Sequence, residues 1–118
     1  MPASPLKVLF FAEGATLAHV ARPYVVAQSL SPEAFEVVFA RPSSFAWLTA
    51  GSGLRTIDLP CQDAKVFARR LEHGRPLYDD ATLAAYVEQD LALIDAERPD
   101  VVIGDFRLQL SVSARPRN

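Results

Sequence analysis

Val8-Leu9-Phe10-Phe11-Ala12, closed by Glu13-Gly14, is the stretch on which the fold turns. A continuous apolar run leaves no polar face, the pattern of a strand buried on both sides of a parallel sheet. Downstream, residues 20–30 repeat Val20, Tyr24, Ala27 and Leu30 at helical spacing. Ser31-Pro32 ends that helix, because the residue before a proline is pushed out of the helical region. Residues 35–40 predict a second strand stopped by Pro42, and Ser43 or Ser44 is placed to cap a short helix running to Ala50, closed by Gly51 and Gly53. Residues 54–59 alternate and predict a third strand in a more exposed position. Helices are predicted over 63–72 and 79–97, the second with an apolar stripe of Leu83, Tyr86, Val87, Leu91 and Ile94. After Arg98-Pro99-Asp100, Val101-Val102-Ile103 reads as a fourth strand ending on Gly104-Asp105, and 108–115 as the opening of another helix, cut by Pro116. Strands separated by helices imply right-handed crossovers and an open, parallel, Rossmann-like α/β sheet with flanking helices.

With 118 residues, half of them hydrophobic, the chain suits one domain with a real core. It is short for an enzyme that closes over two substrates, since such sites usually lie between two domains. The formal net charge is −2 and the 12 Lys and Arg residues are scattered, which argues against nucleic acid or anionic lipid as partner and for a small, weakly polar ligand. The single cysteine, Cys61, excludes an internal disulfide and a cysteine-based metal cluster; no metal is expected, and the usage suits a reducing cytoplasm. The apolar stretch near the N-terminus is too short for a signal-peptide core. No run approaches the roughly 20 apolar residues of a membrane span. The expectation is a soluble, cytoplasmic protein.

Among residues able to carry chemistry, His19 stands out. Proline is tolerated only in the first turn of a helix, so Pro23 requires the first helix to start near His19 or Val20. That puts His19 just beyond the carboxyl end of the first strand, where open α/β sheets place ligands. The helix dipole there disfavours an imidazolium, leaving a neutral ring able to accept a proton. Asp105 follows the fourth strand as His19 follows the first. If the strand order reverses between them, the two loops flank one crevice and the carboxylate can orient the imidazole. Structural alternatives stand beside each assignment: His19 as a surface or capping residue, and Asp105 as the N-cap of the last helix. His73, next to Gly74, suits a helix C-terminus, and Arg69-Arg70 a solvated helix face. Phe45, Trp47 and Leu48 are expected in the core more than along a cleft. Gly14 belongs to neither a G-x-G-x-x-G nor a Walker signature, which argues against a dinucleotide or nucleoside-triphosphate site here.

Two segments carry a resemblance. Residues 10–23, with a loop around Gly14 leading to His19 and Pro23, resemble the first strand and the His-x-x-x-Pro element of the UDP-glycosyltransferase superfamily, and 98–106 resemble its fourth-strand segment, whose aspartate partners the histidine. Ala18 stands where many relatives carry glycine. The resemblance implies the N-terminal, acceptor-binding half of a GT-B fold over residues 1–118, incomplete and without the C-terminal donor-binding domain. It implies His19 and Asp105 as the catalytic pair, with Gly14, Thr16 and Phe106 expected at the acceptor. It also implies an inverting transfer from a nucleotide-sugar co-substrate, a UDP-sugar by family habit, to an acceptor hydroxyl, with no cofactor in this chain and no activity by the chain alone. The alternatives are a non-catalytic subunit that docks a separate donor-binding protein through the exposed fourth strand, with its unpaired edge at Val101 to Ile103, or through the unfinished last helix, and a generic Rossmann-like nucleotide- or ligand-binding domain.

Overall fold

The computed structural model describes residues 4–107, 110 and 114. The chain runs β1 (Leu6–Ala12), α1 (Ala18–Ser29), β2 (Phe35–Arg41), a 3-10 turn (Ser43–Phe45), α2 (Ala46–Thr49), β3 (Arg55–Asp58), α3 (Ala64–Glu72), α4 (Asp80–Glu97) and β4 (Val101–Asp105). The four strands form one sheet in the order β3-β2-β1-β4, every pair parallel. This is the expected Rossmann-like α/β architecture, and the order reverses between β1 and β4.

The uninterrupted apolar character of β1 follows from its central place, where each neighbouring side chain faces a different core. Leu9 and Phe11 pack with Val38, Ala40, Leu59 and, from α4, Ile94. Val8, Phe10 and Ala12 pack on the opposite face with Phe39 and, from α1, Val20 and Ala27. Phe45 and Leu48 join this second face, as expected, but Trp47 is 62% exposed. The correction has a simple cause: α2 is a single turn, Ala46–Thr49, and only part of so short a helix can face the sheet.

Helix limits depart from expectation where backbone bonding overrides local cues. α1 begins at Ala18, so Pro23 is inside the helix rather than in its first turn. Lacking an N–H, Pro23 leaves the carbonyl of His19 without its usual partner four residues on. Neither serine makes a side-chain cap to the turn after β2, which follows Pro42. Asp63 and Asp79 do cap their helices, accepting from the backbone N–H of Lys65 and Thr82, both at 2.7 Å. The helix expected over 108–115 lies largely outside the described residues. Among the described residues no helix is long and apolar enough to cross a membrane.

At the amino edge of the sheet, Glu97 at the end of α4 accepts from Lys7 Nζ at 3.1 Å and from Arg55, whose NH2 lies 3.0 Å from Oε2. Hydrogen bonds from Arg55, and then from Lys7, hold the Glu97 carboxyl down to about 2 despite burial acting the other way. In the unfolded chain the same carboxyl titrates near ~4.3. Between these values the unfolded chain binds more protons than the folded one, so stability is full above the upper value and falls as pH drops through the window. Thermal melts from pH 5 to pH 2 are therefore expected to show a falling midpoint, with a shallower fall in Glu97→Gln; an equal slope in that variant would show that the cluster does not contribute.

Candidate active site at the strand-order reversal

β1 and β4 are neighbours on either side of the reversal in strand order, the position at which open α/β sheets place their ligands. Ala12 lies opposite Asp105 in register, which brings the loop after β1 beside the exit of β4. His19, half-buried in the first turn of α1, faces this edge. Its Nδ1 lies 3.3 Å from Thr16 Oγ1, and its ring stacks on Phe106 with centroids 4.5 Å apart and planes 2° apart. Four of the expected residues, His19, Thr16, Phe106 and Asp105, thus converge from two loops far apart in sequence.

The carboxylate of Asp105 is engaged by a different residue. Arg22 donates from Nε to Oδ2 and from NH2 to Oδ1, each at 2.8 Å, a bidentate pair. Arg22 stands three residues beyond His19 on the same face of α1, so one helix presents both the imidazole and the clamp on Asp105. Arg22 pulls the Asp105 carboxyl below its ordinary range, against partial burial. The N-cap alternative for Asp105 concerns a helix outside the described residues.

Gly14 is buried, and a Cβ there would come within 2.6 Å of the Pro42 ring. It lets the loop after β1 lie against the loop after β2. It also lines a cleft of about 530 Å³ over the ends of β1, β2 and β3, together with Ser43, Ser44, Phe45, Cys61 and Lys65. Of the five expected site residues, Gly14 alone lines this cleft, among the described residues.

Sequence reasoning missed the buried polar group behind the site. Glu13 is fully buried at the end of β1. Its Oε2 accepts from the hydroxyls of Tyr78 at 2.6 Å and Tyr86 at 2.7 Å, and its Oε1 from Arg107 NH1 and the Gly14 N–H, both at 3.2 Å. Arg107, also buried, donates from Nε and NH2 to Asp90 Oδ1 at 3.2 and 3.1 Å and lies 3.8 Å above the Tyr86 ring. Burial, and then the Glu13 carboxylate, push both phenols above their ordinary range, which keeps them as donors. The available signal was an acid placed directly on the end of a buried strand, a position tolerable only with dedicated partners. No group of three or more potential metal ligands is found among the described residues.

Over 109 residues, 92% of its length, the chain is 43% identical to the PGL/p-HBAD biosynthesis rhamnosyltransferases of Mycobacterium bovis and Mycobacterium tuberculosis, of which it covers 24%. It is 39% identical, over the same share of its length, to a PGL/p-HBAD biosynthesis glycosyltransferase of M. tuberculosis, covering 26% of that protein. The same identity and share hold for a protein of M. bovis named as an inactive PGL/p-HBAD biosynthesis glycosyltransferase, of which the chain covers 30%. The chain therefore spans roughly a quarter of the length of the curated relatives it matches. No family model matches the chain, and no solved structure matches it significantly.

Cys61 provides a direct test of the buried group. Burial, and then the nearby Glu13 carboxylate, push its thiol up to about 12. Only the thiolate is nucleophilic and an unfolded cysteine titrates near ~8.5, so iodoacetamide at pH 8 is expected to label native Cys61 on the order of a hundred- to a thousand-fold more slowly than in denaturant. Equal labelling rates would contradict the enclosed environment.

Proposed function

We propose that the chain belongs to the GT-B-like glycosyltransferase family that includes the PGL/p-HBAD rhamnosyltransferases and forms the acceptor side of such an enzyme, with His19 as general base. The observation that carries this reading is the setting of His19 at the reversal crevice: Nδ1 is turned to Thr16, and Nε2 has no hydrogen-bond partner among the described residues. With Nδ1–H donating to Thr16, Nε2 is the basic nitrogen. It takes the proton of an acceptor hydroxyl as that oxygen bonds to the anomeric carbon of a nucleotide-sugar. The bond from that carbon to the nucleotide phosphate breaks, the configuration inverts, and the nucleotide leaves with the bonding electron pair. Asp105, held as a carboxylate by Arg22, keeps negative charge beside the imidazolium that forms. Gly14, Thr16 and Phe106 border the acceptor. The names of the relatives make a rhamnosyl donor the first to test, beside UDP-sugars.

Since a relative named as inactive matches the chain as well as one named as a glycosyltransferase, similarity over this region does not carry activity by itself. The functional reading stands on the site. One observation favours a second reading, a subunit that docks a separate donor-binding protein: β4 is at the sheet edge, with Val101 41% exposed.

The chain alone, given nucleotide-sugar and a phenolic acceptor, is expected to show no turnover. Supplied with the donor-binding region of a longer relative, it is expected to transfer sugar, and His19→Ala to lower the rate by about 10²–10⁴-fold. Transfer unaffected by His19→Ala would remove the base from this reading; docking without any transfer would favour the second.

A further inference from the structure

We infer that Arg107 is a positioning residue for the His19 centre, holding the Phe106 ring flat against the imidazole by pinning the chain immediately beyond it. The inference rests on the reading of His19 as the base. Phe106 has φ 58°, in the left-handed region that residues with a Cβ adopt only at a cost. Such a conformation persists only where the surroundings over-determine it. Here three consecutive side chains take three different partners: Asp105 the guanidinium of Arg22, Phe106 the imidazole of His19, and Arg107 the carboxylates of Glu13 and Asp90. The strained residue is thus held on both sides.

The two anchors are unequal. Arg22 is 63% exposed, so its pair with Asp105 is open to solvent screening. The side chains of Arg107, Glu13 and Asp90 are fully buried, and there the pairing is screened far less. The geometry also needs arginine. NH1 reaches Glu13 while Nε and NH2 reach Asp90, and lysine, a single charged point, cannot span both acids. The Phe106 ring is steadied edge-on by Phe67, at 5.8 Å and 83°, which leaves its face for His19.

The test is the proton NMR spectrum of the two histidine rings in the 118-residue chain. A ring stacked on Phe106 has its protons displaced upfield, so His19 is expected to show the displacement and His73 not, with Phe106→Leu marking the value without stacking. In Arg107→Lys the His19 displacement is expected to fall by at least half while the chain still melts cooperatively and His73 is unchanged. Should that variant fail to fold, Asp90→Asn, which removes one of the two charges on Arg107 while keeping the shape, is expected to give a smaller loss in the same direction. An unchanged His19 signal in a folded Arg107→Lys, or in Asp90→Asn where the first does not fold, overturns the inference. A purely structural Arg107 would lower the melting temperature and leave that signal in place. If His19→Ala left sugar transfer intact, the functional reading would fail without altering this spectroscopic result.

Discussion

The carboxylate of Glu13 is the constraint around which the carboxyl edge of the sheet is organised. An acid on the end of the central strand cannot reach water, and burying a charge without partners costs far more than a domain of this size can spare. Glu13 meets the cost with donors from separate parts of the chain: its neighbouring N–H, Tyr78 after α3, Tyr86 on α4 and Arg107 beyond β4. Arg107 in turn requires Asp90. Removing one partner of a buried ion pair typically destabilises by about 3–5 kcal/mol, because it leaves a buried charge uncompensated. One residue thus ties together segments that the sheet hydrogen bonds alone would leave independent.

That arrangement explains what could be read from the sequence. The apolar run of β1, the spacing in α1 and the breaks at Pro32, Pro42 and Pro99 are local signals, and they led to the right elements in the right order. A reversal between β1 and β4 is the condition on which His19 and Asp105 can meet, and the strand order satisfies it. Asp90 and Arg107 were not legible. Asp90 lies on the buried side of α4 among Tyr86 and Ile94, yet in a helical pattern a lone acid there resembles any solvated residue. Its burial becomes intelligible only once Arg107, distant in sequence, is seen to reach it. Polar pairing across the fold has no periodicity and leaves no local trace.

The same limit applies to Asp105. Its placement beside the loop after β1 follows from topology, but its partner follows from side-chain reach. His19 and Arg22 share a face of α1, and the longer, forked guanidinium satisfies both carboxylate oxygens at once. Arg22, next to Pro23, belonged to the very motif that drew attention to His19, yet nothing in the spacing distinguished a clamp from a solvated cation. Pro23 contributes differently from the sequence expectation. Placed inside α1, it leaves the His19 carbonyl without a helical partner, so the imidazole sits on a turn with less backbone restraint than a continuous helix would give.

Restraint on the imidazole must then come from its side-chain neighbours. Thr16 addresses one ring nitrogen and Phe106 covers one face, and each belongs to a loop fixed elsewhere: the first leaves the buried end of β1 at Glu13, the second runs into Arg107. Both loops therefore end on the same salt bridge. A base needs its ring held while its proton-accepting nitrogen stays open, and a buried ion pair behind the ring can do this without occupying the crevice in front. In this chain the charged groups that fix the loops around the imidazole are accordingly buried ones, Glu13, Asp90 and Arg107.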